Sequence, residues 1–295
     1  MTEHVTPIDA DPPVDPLREA ASEAAAPKRR RRRRRGGGSL WAWVIFIAGA
    51  LYFLVPLLST LEYSLRPRPF GLAYAGTLAD PKFFGTLVYS FVVGLVTIAC
   101  SLLLIVPTAY WVRLRLPRLR PIVEFVTVLP FVIPPIILVF GLIRIYSSRP
   151  LVLTATDMGS NVLIVGAYVI LSFPYMYRSV DTGLASMDVR SLTEAAQSMG
   201  ARWPTILWSV IFPNLRVAVL SGAFLTLAIV VGEFTIASFL ARPAFGPYIS
   251  ELGERKPFEP ASVSLISFGL TWLAMIALTL LGRGRGSRVQ VAGAR

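Results

Sequence analysis

Six apolar runs separated by polar stretches organise this chain. They cover residues 40–61, 86–111, 122–145, 161–177, 217–240 and 263–281. Each is close to the length, about 20 residues, at which a helix crosses the hydrocarbon layer of a bilayer. A backbone in lipid must satisfy its own hydrogen bonds, so runs of this length read as helices. The pattern predicts an all-α polytopic membrane protein with six transmembrane helices. A polar hairpin, residues 178–216, lies between the fourth and fifth runs.

Two runs contain residues that disturb them. The third reads Leu129-Pro130-Phe131-Val132-Ile133-Pro134-Pro135. Pro130, Pro134 and Pro135 remove backbone donors near midspan, which predicts a kink or an interruption. Broken helices often line transport routes, because freed carbonyls need water or protein partners. A kink satisfied by neighbouring helices is the alternative. The fifth run carries Glu233, its one deep acidic side chain. A charge there is costly unless paired or wetted, so Glu233 is expected to face the bundle interior or a cavity. It lines a translocation route and favours a cationic solute, or it partners an arginine such as Arg144, or it stays protonated through desolvation.

Loop charges orient the array. With the N-terminus inside, Arg113, Arg115, Arg118 and Arg120 fall on the inner side with Arg178, Arg190, Arg202 and Arg216. The outer loops keep fewer of the 29 Lys and Arg residues. This asymmetry follows the positive-inside rule and places both termini and the 178–216 hairpin in the cytoplasm. Trp41, Trp43, Tyr63, Trp111, Tyr146 and Tyr177 sit at run ends, as interfacial anchors do.

Composition narrows the function. The chain is 54% hydrophobic, with one cysteine, Cys100, and one histidine, His4. These exclude a disulfide framework, histidine-based catalysis and a zinc cluster. No Gly-x-x-x-x-Gly-Lys-Ser/Thr stretch is present, so the chain has no P-loop of its own. We expect no catalytic residues, no metal and no cofactor. Residues 1–38 form an expected disordered cytoplasmic tail that ends in Lys28, Arg29–Arg35 and a glycine run. The arginines are read as a juxtamembrane cluster that touches anionic lipid, with no nucleic acid as partner. Residues 39–285 form the transmembrane domain and 286–295 a second cytoplasmic tail.

The hairpin holds a short helix with its own terminal signals. Ser191-Leu192-Thr193-Glu194 has the form of a capping box, with Ser191 as N-cap and Glu194 reaching back to its amide. Gly200 stands where a left-handed C-terminal cap is wanted. The helix between them, 192–199, spans roughly 12 Å. A helix that short is marginal alone, so it needs a partner surface, and Ala195 with Ala196 presents a smooth face to one.

Glu194-Ala195-Ala196, then Gly200 and Pro213 at their spacing, resembles the EAA loop of the membrane permeases of binding-protein-dependent ATP-binding-cassette (ABC) importers. Val210 and Phe212 stand where that pattern has Ile and Leu, and Met187-Asp188 stands where it often has Ile-Pro. The resemblance implies a type I ABC importer permease fold in a bacterial inner membrane, with residues 181–213 as the loop that couples to an ATPase dimer. There Glu194 makes polar contacts, Ala195 and Ala196 allow close approach, Gly200 allows the turn, and Pro213 ends the loop at the membrane. The implied partners are two ATPase subunits, a second permease and an extracytoplasmic solute-binding protein. ATP hydrolysis belongs to the separate ATPase. The Pro-rich third span and Gly232-Glu233-Phe234 look most like spermidine/putrescine permeases; ferric iron, thiamine and aminoethylphosphonate permeases are alternatives. A secondary transporter or channel without an ATPase is the rival from another class. It would show inverted repeats or several intramembrane ionisable groups.

Overall fold

Proline, glycine and one carboxylate decide where the long apolar helices stop. The structure, a computed structural model, describes residues 38–283. The tails with the polyarginine run and the last residues lie outside the described residues. In chain order the helices are α1 (Gly38–Leu65), α2 (Leu72–Ala79), α3 (Pro81–Arg115), α4 (Arg120–Val132), α5 (Pro135–Tyr146) and α6 (Asp157–Ala185). They continue with α7 (Val189–Ser198), α8 (Trp203–Asn214), α9 (Arg216–Gly232), α10 (Thr235–Phe239), α11 (Phe245–Arg255) and α12 (Glu259–Arg283). Among the described residues there is no strand.

The described residues divide into two units, 38–55 and 56–283. The first is a length of α1 whose apolar side chains, Trp41, Ile45 and Phe53 among them, are exposed. Such a surface suits lipid, where no hydrophobic force draws it inward.

Within the second unit, α3 runs for 35 residues and α6 for 29, both long and apolar enough to cross a bilayer, as is Trp41–Leu65 of α1. Two helix pairs pass only when taken together, each a broken span or a re-entrant loop, so three to five of the six expected spans meet this measure among the described residues. α4 and α5 meet at 97°, and α8 and α9 at 79°. α12, 25 residues long, contains the sixth apolar run.

The prolines interrupt the third run as expected, while two other expectations need correction. In the third run α4 ends at Val132, and Pro134 takes an extended ψ of 140°. Ile133 still donates to the Leu129 carbonyl, and Pro135 opens α5 at a position that needs no donor. The fourth run extends well past Tyr177, because residues 178–185 of the polar hairpin continue α6 before Ser186 closes it. The fifth run stops at Gly232, since Glu233 leaves the helical conformation (ψ 127°) and its carboxylate accepts from the first amides of α10 instead.

α3, α6 and α9 form the centre of this unit, and small residues bring α6 against α9. A Cβ on Gly183 would lie 2.6 Å from the Ala218 Cβ and 2.8 Å from a Leu215 methyl. A Cβ on Gly222 would lie 2.8 Å from the Met176 sulfur. Close approach through small residues is how helices pack where lipid supplies no hydrophobic drive. Between α3 and α6, the buried Ser101 and Ser172 hydroxyls pair at 2.7 Å.

Candidate coupling helix and pathway wall

α7 is amphipathic because its apolar positions repeat at helical spacing. Val189, Thr193 and Ala196 are buried, while Arg190, Glu194, Ala195 and Met199 point outward. The Thr193 hydroxyl lies 3.0 Å from the Tyr110 hydroxyl of α3, which pins the helix from below. Ala196 shares a core cluster with Ile206, Leu207 and Ile211 of α8. The two alanines therefore do not form one docking face: successive residues are about 100° apart around a helix, so Ala195 is exposed and Ala196 is internal.

The N-terminal cap also differs from expectation. Asp188, not Ser191, is the N-cap; its carboxylate accepts from the Ser191 amide at 3.1 Å and from the Ser191 hydroxyl at 2.6 Å. Asp is as good a cap as Ser, and its charge favours a helix N-terminus. Starting at Val189 also brings that side chain into the core. The Ser191 hydroxyl and then its amide hold the Asp188 carboxyl below the usual carboxylate range. Glu194 does not reach back; it accepts from Arg190 at 2.8 Å, an exposed pair worth little stability.

The C-terminus matches expectation. Gly200 has φ +80°, the left-handed region that glycine enters without steric cost. Its amide donates to the Gln197 carbonyl at 2.8 Å and Ala201 donates to Ala196 at 3.0 Å, a Schellman motif. Pro213 lies in the last turn of α8, just before the bend at Leu215.

An ionic knot ties the same end of three helices. Asp181 of α6 accepts from Arg113 of α3 at 3.0 Å and from Arg120 of α4 at 2.9 Å. Arg120 also donates to Glu124 at 2.8 Å. Sequence pattern shows these residues as loop charges; only the fold brings them together.

Glu233 occupies the break between α9 and α10. Its carboxylate accepts from the Ile236 amide at 3.0 Å through both oxygens, from Ala237 at 3.2 Å and from the Tyr168 hydroxyl at 3.0 Å. Phe234 holds the N-cap position of α10, and the Glu233 carboxylate just before it satisfies the first amides of that helix without an ion pair to Arg144. Gly246 packs onto its backbone so closely that a Cβ there would collide with the Glu233 carbonyl oxygen. Pro130, Pro134 and Pro135 belong to the break between α4 and α5, and α5 packs on α10 through Phe140 and Phe239, whose ring centroids are 4.9 Å apart.

A multi-pass helical membrane subunit with an exposed, doubly capped helix at one end and broken helices through its apolar layer is the class these features define. The family model for the binding-protein-dependent transport system inner membrane component matches residues 101–285, and the chain belongs to that family. It is 26% identical to the spermidine/putrescine permease PotB of Haemophilus influenzae, over 68% of this chain and 75% of that one. It is 26% identical to a probable molybdenum ABC transporter permease of Haloferax volcanii, over 82% and 85%. It is also 26% identical to the ferric permease FbpB of Actinobacillus pleuropneumoniae over 55% of this chain, spanning only 23% of that longer protein. Its fold is similar to that of an amino acid ABC transporter solved with histidines, with TM-score 0.50, 17% identity, and coverage of 69% of this chain and 94% of that one.

Proposed function

We propose that this chain is the permease subunit of an ABC importer and forms half of a solute pathway with a second permease. The observation that carries this reading is α7: a two-ended, capped helix whose outward face, with Glu194, Ala195 and the exposed Met199, has no partner beyond Arg190 among the described residues. A separate ATPase grips that face, so closure of its nucleotide dimer pushes α7. Gly200 and the π-helical stretch Ile206–Ile211 of α8 then relay the push to α9. The arginines around α7 and the α3–α4 connection favour a cytoplasmic position for this end and for both termini. A binding protein delivers solute on the opposite side.

The pathway wall in this reading runs from Asn214 at the end of α8 along the exposed stripe of α9, through Ser221 and Leu225 to Gly232, beside the exposed positions of α6. Relatives whose names specify spermidine/putrescine, molybdenum and ferric transport are all similar to this chain. Glu233, the carboxylate expected to favour a cationic solute, is already engaged by three donors.

The test is co-purification of the ATPase from membranes with the wild-type chain and with Glu194→Arg. Loss of the ATPase, with the variant still inserted and folded, is the expected result. Equal recovery and equal uptake would refute the coupling role of α7.

A further inference from the structure

The face of α6 nearest α7 carries a cation that no carboxylate among the described residues neutralises. Arg178, Thr182 and Ser186 follow one another at helical spacing and are exposed. Arg178 makes no ion pair among the described residues, although charged neighbours are close in sequence. The carboxylates that line the adjoining cavity, Asp181 and Glu124, are held by Arg113 and Arg120. Among the charged residues that line these cavities, Arg178 is the one without an ion pair among the described residues.

Arg178 lines two cavities at once. One, of about 420 Å³, lies between α6 and α9 and includes Ser179, Thr182, Asn214 and Ser221 in its wall, with no carboxylate. The other, of about 590 Å³, lies between α4 and α6 and shares Arg178 and Thr182. Its wall also holds Tyr177, whose residue is 5% exposed and whose hydroxyl is buried with no hydrogen-bond partner among the described residues.

The available groups are one fixed cation, which only donates, and hydroxyl and amide groups that can donate or accept. Arg178 offers a guanidinium, Ser179 and Thr182 offer hydroxyl protons not committed among the described residues, and Asn214 has a second amide proton beyond the one given to Val210. Such a set suits the oxygens of a tetrahedral or carboxylate anion. A polycation would meet like-charge repulsion from the Arg178 guanidinium instead.

We propose that Arg178, between these two cavities, forms an anion site on the solute route, and that the importer carries an oxyanion or a solute bearing net negative charge. This rests on the pathway reading and names its substrate class. Charge-assisted contacts of this kind supply orientation as well as affinity.

The experiment uses the assembled transporter with its ATPase in lipid nanodiscs. Sodium molybdate, sodium sulfate and putrescine dihydrochloride are titrated separately at ionic strength matched with chloride, and the thermal unfolding midpoint is read. At least one oxyanion is expected to raise the midpoint of the wild type, and putrescine to leave it unchanged. Arg178→Gln is expected to raise the half-effective oxyanion concentration by about tenfold or more. Arg178→Lys is expected to restore most of the response, and Thr182→Val to weaken it less than Arg178→Gln does. Stabilisation by putrescine alone, absence of any oxyanion effect in the wild type, or an oxyanion response unchanged in Arg178→Gln would each overturn the proposal. ATPase co-purification with the wild type and its loss in Glu194→Arg report separately on the importer reading.

Discussion

Replacing Glu233 by Gln separates a capping carboxylate from a solute ligand. The native side chain receives three donors: the Ile236 amide, the Ala237 amide and the Tyr168 hydroxyl. Glutamine has one acceptor oxygen with two lone pairs, and its amide nitrogen can accept nothing. One of the three donors is therefore left facing an N–H. An orphaned, half-buried donor costs about 1–3 kcal/mol. At 1.4 kcal/mol per tenfold change, local opening of α10 becomes about 5- to 150-fold more populated. Amide hydrogen exchange followed by mass spectrometry reads this directly in the peptide that contains Ile236 and Ala237. Faster exchange confined to α10 and the adjoining part of α6 around Tyr168 is expected. Unchanged exchange in Glu233→Gln, together with altered solute preference, would refute the capping account and return Glu233 to the pathway.

Three further outcomes are specific. Gly246→Ala forces a Cβ against the Glu233 carbonyl oxygen and within 2.8 Å of its carbon. Backbone cannot swing aside as a side chain can, so a loss of about 1–3 kcal/mol in thermal stability is expected, and a neutral result would refute the close approach. Gly200→Ala has open space around its Cβ but keeps φ +80°, so only backbone strain of about 1–2 kcal/mol is expected, with Gly200→Asn milder. Equal stability of all three proteins, measured by thermal unfolding, would contradict the left-handed cap. For pH, the lowered folded-state value of Asp188 means its cap is fully present above the ordinary Asp value of about 3.9 and is lost as pH falls through the lower folded value. Exchange at the start of α7 is expected to rise only at acid pH, and Asp188→Asn to abolish that dependence; a rise already between pH 7 and 5 would count against it.

The helices were legible where apolar length alone decides, as in α1, α3 and α12. The break at Pro134-Pro135 was legible too, because proline's missing donor acts locally. The break at Glu233 was not. An acid in an apolar run looks the same whether it lines a route or caps a turn, and what decides here is Tyr168, 65 residues away. Asp188 and Ser191 both satisfy the local code for an N-cap. Burial of Val189, a tertiary event, selects the earlier start. The opposite facing of Ala195 and Ala196 follows from helix geometry once α7 packs on Tyr110 and α8. Arg178 reads as one more arginine at a span end until Arg113 and Arg120 are found on the carboxylates beside it.

Long side chains between helices act as springs: they flex and absorb small shoves. Where α6 and α9 meet at Gly183 and Gly222 the gap is short, since an added methyl would lie 2.6 Å from the Ala218 Cβ and 2.8 Å from the Met176 sulfur. A displacement of under an ångström delivered to one of these helices cannot be dissipated in rotamer changes and must carry the other along. The pair works as one stiff lever, so a stroke at one end reaches the far end with little slack.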